Sequence, residues 1–203
     1  MAHGKLQITD YKLQIRDGVR ILQLCSADGT NRLTRACVLQ LTCAIRELAR
    51  AGQPLIITGN DKFFSAGADL REIAALSRQE ALEFSELGQE LMNTIDEFPP
   101  PVCAAVSGYC MGGGLDLALA CHFRVASPHA IFGHRGAALG LITGWGGTQR
   151  LPRLVGKARA LQMFVAAEKV NAREALRIGL VDAVAEDPVA WAVDKRQQSA
   201  FGT

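Results

Sequence analysis

The sequence predicts an α/β fold in which a unit of two strands and a helix is used more than once. Three observations carry this. The short apolar runs PLIITG and PVCAAVSG lack alternation and read as strands buried on both faces, as in a parallel sheet. Segments of helical periodicity that open at Thr, Ser or Asn separate such runs. Two glycine-bearing loops, FFSAGADL and SGYCMGGGLDL, each follow a buried strand and lead into a helix.

In chain order, KLQITDYKLQIRDGVRILQLC predicts a hairpin turning at Asp17-Gly18. A helix from Thr34 to Ala51 places Val38, Leu41, Ile45 and Leu48 on one face and stops at Gly52. PLIITG is a strand, and FFSAGADLREI is a glycine loop entering a helix. Ser77 and Glu80 form a capping box for a helix to about Glu97, which Pro99, Pro100 and Pro101 end. PVCAAVSG, FRVAS and HAIFG are further strands, with the short helix LDLALAC after the glycines. A helix from Lys157 to about Ala166 follows GWGGTQRLPRLVG. Asn171 caps the next helix, Gly179 stops it, LVDAV is a last strand, and Asp187-Pro188 opens a final helix.

Composition narrows the classes of function. The 203 residues suit one domain. A formal charge of +2, without runs of like charge, gives no footprint for nucleic acid. Six cysteines contain no C-x-x-C pair and read as free, mostly buried thiols in a reducing compartment. The start MAHGKLQITD has no apolar signal region, and no apolar run reaches the roughly 18 residues of a membrane span. A cytoplasmic protein with no membrane partner is the expectation.

Three consecutive glycines at a helix start cost stability unless something approaches that backbone closely. Helix N-termini carry free N–H groups and partial positive charge. Two such loops side by side would aim two donors at one oxygen, as an oxyanion hole does. Tight packing alone is the other reading, and the residues leave both open. A phosphate cradle is disfavoured: Leu117 stands where the last glycine of G-x-G-x-x-G would fall, and no G-x-x-x-x-G-K-[ST] is present.

FFSAGADLREI, AAVSGYCMGGGLDLALACHFRVAS, GWGGTQRLPRLVG and NAREALRIGLVDAV, in that order, resemble the crotonase superfamily, the enoyl-CoA hydratase/isomerase family. The resemblance implies a crotonase-like spiral of β-β-α units, related to the Clp protease fold, over residues 1–185. Residues 186–203 are then expected to start a truncated or shortened C-terminal helical segment. It implies a homotrimer or hexamer acting on acyl-CoA thioesters of the kind met in fatty acid metabolism. Coenzyme A is part of the substrate, with no separate cofactor and no metal. By the same resemblance, Ala68 and Gly113 are the oxyanion donors and Asp116 is the catalytic carboxylate. Ser65, Ala66, Gly67, Asp69, Leu70, Gly112, Gly136 and His134 line the substrate.

The pattern is broken in places. Family hydratases hold a water between two glutamates. Here Asp116 stands at the first position and Gly136 at the second. Isomerase- or decarboxylase-like chemistry therefore fits better than hydration, and a non-catalytic acyl-CoA-binding homologue is the alternative. His134, next to the missing acid, reads as a replacement acid–base group or as plain pocket wall. Asp28 falls near a position often basic in the family, with Arg32 as a substitute. Trp145 stands where small or proline residues are common in the family, and is expected to reshape the acyl end of the pocket. A third reading, a peptidase with Cys110 as nucleophile and His134 as base, rests on YCMGG alone.

Overall fold

The computed structural model describes residues 10–197. Strands β1 (Tyr11–Arg16) and β2 (Val19–Leu24) form an antiparallel hairpin. Its two turn residues, Asp17 and Gly18, both have positive φ, the geometry that matches the twist of the flanking strands. The part of the predicted hairpin before residue 10 lies outside the described residues. After the two-residue strand β3 (Arg32–Leu33), Thr34 caps α1 (Arg35–Ala49) by accepting from the Cys37 N–H.

The chain then repeats one unit three times. A strand enters a large sheet, a second strand enters a smaller one, and a helix follows. The first repeat is β4 (Leu55–Thr58), β5 (Phe63–Ser65), the two-residue β6 (Gly67–Ala68), α2 (Leu70–Ala75) and α3 (Arg78–Asp96). The second is β7 (Val102–Val106), β8 (Tyr109–Met111) and α4 (Gly113–Ala120). The third is β9 (Phe123–Ala126), β10 (Ile131–Gly133), a 3-10 turn at Gly136–Leu139 and α5 (Gly147–Val155). Helix α6 (Lys157–Val165), β11 (Val170–Asn171), α7 (Ala172–Arg177), β12 (Ala183–Val184) and α8 (Pro188–Gln197) complete it. The six-stranded sheet has the order β1-β2-β4-β7-β9-β12, and the four-stranded sheet runs β11-β10-β8-β5. The pairs β1/β2 and β10/β11 are antiparallel and the others parallel.

The central strands β4 and β7 are buried on both faces, which is why they read as unbroken apolar runs. Leu55 and Ile57 of β4, with Val102, Ala104 and Val106 of β7, face the main core under α1, α3 and α4. Ile56, Cys103 and Ala105, one residue out of phase, face a second cluster that α8 closes with Ala192 and Val193. Small residues on β7 let that helix approach the sheet.

Besides the short strands β3 and β11, the structure differs from the sequence reading in three places. The FFSAGADL loop contains two short strands, and β6 pairs with β3 at Leu33↔Ala68. YCM is a strand of the second sheet, paired with both β5 and β10. The segment GTQRLPRLV is a helix despite Pro152. Of the cysteines, Cys43 is exposed and Cys25 half-buried, whereas the other four are buried. No helix among the described residues is long and apolar enough to cross a membrane.

Candidate active site

A cavity of about 540 Å³ opens beside the N-terminus of α4, lined by both glycine loops, the start of α2 and the segment 134–145. Its floor is set by close backbone approach. A Cβ on Gly67 would stand 2.6 Å from the Met111 carbonyl oxygen and 3.0 Å from the Gly113 nitrogen. A Cβ on Gly113 would stand 3.4 Å from the Ala68 nitrogen. Standard covalent geometry then puts the Ala68 and Gly113 nitrogens within about 6 Å of each other. Both residues line the cavity, with Ala66, Gly67, Leu70, Gly112 and Gly136.

The first loop is pinned from below. Ser65 is fully buried; its Oγ donates to the Asn31 carbonyl at 2.7 Å and accepts from the Gly67 N–H at 3.1 Å. Asn31 donates to the Phe63 and Phe64 carbonyls. Asp28 organises the preceding turn, accepting from Ser26, Thr30 and Arg32. Those bonds, the Thr30 N–H first, hold its carboxyl well below the usual range. Asp69 caps α2 and binds Arg71, and these bonds lower its pKa to about 2. The side chains of Ser65 and Asp69 thus shape the loop, whereas Ala66 to Ala68 and Leu70 present the surface.

Asp116 lies one turn into α4 and is 1 % exposed. Its Oδ2 accepts from the Thr143 hydroxyl. Its Oδ1 stands 3.4 Å from His134 Nε2. The N–H of Gly147, first residue of α5, also reaches the carboxylate. Burial nevertheless dominates and raises the Asp116 pKa to about 7 against the pull of Thr143, Arg150 and Gly147. His134, 4 % exposed, has its ring against Phe164 with centroids 5.1 Å apart, and burial lowers its pKa to about 4. At neutral pH the imidazole is uncharged.

Trp145 fills a slot made by two glycines. A Cβ on Gly88 of α3 would meet its ring at 2.1 Å, and one on Gly113 at 2.4 Å. The indole Nε1 donates to the Phe84 carbonyl at 3.2 Å, and the Phe84 ring meets it edge-on. Ser85 and Gln89 of α3 hold the Gly144 carbonyl. Trp145 therefore packs under the second glycine loop as well as bordering the cavity.

Thr143, Gly147, Phe164 and Gly88 escaped the sequence reading. Gly88 left one signal, an interior helix glycine whose cost calls for a close neighbour. The peptidase reading fails. Cys110 is fully buried, its thiol is directed at the Gly114 carbonyl, and burial pushes its pKa well up, so no thiolate is presented.

A model of the enoyl-CoA hydratase/isomerase family matches residues 14–197. The chain belongs to this family. Among enoyl-CoA hydratase/isomerase relatives, it is 42% identical over 177 residues to a crotonyl-CoA hydratase of Syntrophomonas wolfei, covering 86% of this chain and 68% of that protein. A probable enoyl-CoA hydratase of Bacillus subtilis is 46% identical over 134 residues, covering 66% of this chain and 52% of that one. The structure of Pseudomonas aeruginosa DspI superposes with a TM-score of 0.90 at 33% identity, covering all of this chain and 85% of that one. An enoyl-CoA hydratase from Thermoplasma volcanium also reaches a TM-score of 0.90, at 29% identity over 97% of this chain and 79% of that one. These likenesses establish the crotonase fold and an acyl-CoA-processing family.

Proposed function

We propose that the chain processes an acyl-CoA thioester by holding its carbonyl oxygen between the Ala68 and Gly113 N–H groups while Asp116 carries one proton. The observation that supports this most is the placement of a single buried carboxylate on the wall that carries both amides. As the substrate's α C–H bond breaks, its electron pair moves into the carbonyl and gives an enolate. The proton forms an O–H bond at Asp116. Each amide donor is worth about 3 kcal/mol of barrier when aimed at the developing oxyanion. Return of the same proton to the γ-carbon of a 3-enoyl ester completes isomerisation to the 2-enoyl ester. Hydration needs a second acid–base group around a water, and Gly136 supplies none.

A panel of 2-enoyl-, 3-enoyl-, 3-hydroxyacyl- and malonyl-type CoA esters tests this. Isomerisation of the 3-enoyl ester is expected to exceed hydration of the 2-enoyl ester at least tenfold. Hydration as the faster reaction would overturn the single-carboxylate reading. Calorimetric binding without turnover of any ester would leave the non-catalytic alternative.

Glutamate at position 136 is not expected to restore hydration. A Cβ there would stand 2.7 Å from the Leu141 carbonyl oxygen, in the turn closed by the Leu141 N–H on the Gly136 carbonyl. Gly136→Glu should cost about 1–3 kcal/mol, as overpacking does. Urea unfolding beside a hydration assay checks both halves; unchanged stability with new hydration would contradict the account.

A further inference from the structure

Asp116 Oδ1 and His134 Nε2 are both sealed from solvent, both without a hydrogen-bond partner, and 3.4 Å apart. That distance discriminates. A water bonded to both at ordinary lengths would hold them about 4.5 Å apart. The gap is also walled by Gly147, where a Cβ would stand 2.1 Å from the Asp116 oxygen and 3.0 Å from the His134 nitrogen. Apart from the Gly147 N–H near the carboxylate, the two atoms have only each other.

We infer that His134 is a positioning residue for Asp116: its uncharged ring turns Nε2–H onto Oδ1, so that the two side chains act as one proton carrier rather than as an acid and a base flanking a water. The inference deepens the proposed role of Asp116 and rests on it. Oδ1 is held by the imidazole and Oδ2 takes the substrate proton. The Thr143 hydroxyl, which donates to Oδ2 in the ionised state, rotates to accept from it in the protonated state. The other groups facing the pair do not compete for that proton. Arg150 of α5 is engaged by Asn93 and Asp96, the Cys110 thiol of β8 is neutral, and Phe164 of α6 offers only a ring.

The test is read on the full chain without substrate. Carbon-13 NMR follows the Asp116 carboxyl titration in the wild type, His134→Phe and His134→Gln, and nitrogen-15 NMR reads the His134 tautomer in the wild type. A donor to the ionised form lowers a carboxyl pKa, so His134→Phe should move the Asp116 midpoint up by about one pH unit. His134→Gln keeps an N–H donor and should bring it back toward the wild type. The wild-type ring should carry its proton on Nε2 above pH 8. An unmoved midpoint in His134→Phe, or a ring protonated on Nδ1 alone, overturns the inference. If the phenylalanine variant does not fold, the tautomer still decides. Because none of these readouts needs turnover, failure of the proposed reaction and failure of the pair are told apart.

Discussion

Asp116→Asn is expected to cut turnover about 10²–10⁴-fold while making the folded chain more stable above neutral pH. The rate loss follows from removing the carboxylate that carries the proton. The gain follows from linkage. The Asp116 pKa is about 7 when folded against an ordinary value of 3.8, so the folded state binds the proton more tightly. Stability contributed by that proton is complete below pH 3.8 and is lost as pH rises toward 7. Above that, the buried charge costs roughly 4 kcal/mol, which the amide avoids. His134 works in the opposite sense. Its folded pKa of about 4 lies below the ordinary value of 6.5, so stability is lost as pH falls between them. In the wild type the two slopes offset between about pH 4 and 6.5. Thermal unfolding of both proteins from pH 4 to 8 should show the asparagine variant gaining on the wild type as pH rises. A difference constant across that range would sink this account of the carboxylate.

Gly147→Ala is expected to damage the site most for the fewest atoms. The added methyl would enter the space between Asp116 Oδ1 and His134 Nε2, and would also press on Thr143 Cγ2 at 2.9 Å. A retreat of these groups toward the cavity would break existing contacts, because Asp116 is held by Thr143 on one side and His134 lies on Phe164. The same shift moves the carboxylate away from the Gly147 N–H that helps hold its charge. Overpacking of this kind costs about 1–3 kcal/mol. Displacing the reacting carboxylate by an ångström costs about 10²-fold in rate. Urea midpoints and separate kcat and KM values check this, with the loss falling on kcat. A variant with wild-type kcat would show that Asp116 does not need its present position.

Local chemistry made much of the fold readable. Asp17-Gly18 fixes a hairpin turn through backbone preference alone, Ser77 and Asn171 cap the helices they were expected to cap, and Thr34, expected as the first helical residue, is the N-cap of α1. What escaped depended on distant partners. Strands of two or three residues, such as β6 and β8, are too short to show a period, and only neighbours from other repeats make them strands. At the candidate site, Ala68, Gly113 and Asp116 lay in recognisable segments, whereas Thr143 stands outside the quoted motifs and Gly147, though within GWGGTQRLPRLVG, becomes a neighbour of Asp116 only when α5 docks on α4. The fit between Gly88 and Trp145 joins residues 57 positions apart, and one interior glycine was its sole trace.

Trp145 has a practical consequence. The chain holds two tryptophans, and the other, Trp191, stands on α8 beside the opposite face of the large sheet. One indole therefore lies directly beneath a candidate carbonyl-binding amide, and its twin is remote from it. Replacing Trp191 with phenylalanine leaves a chain whose tryptophan emission originates at the floor of the ligand chamber, a built-in optical gauge of occupancy that needs no attached dye.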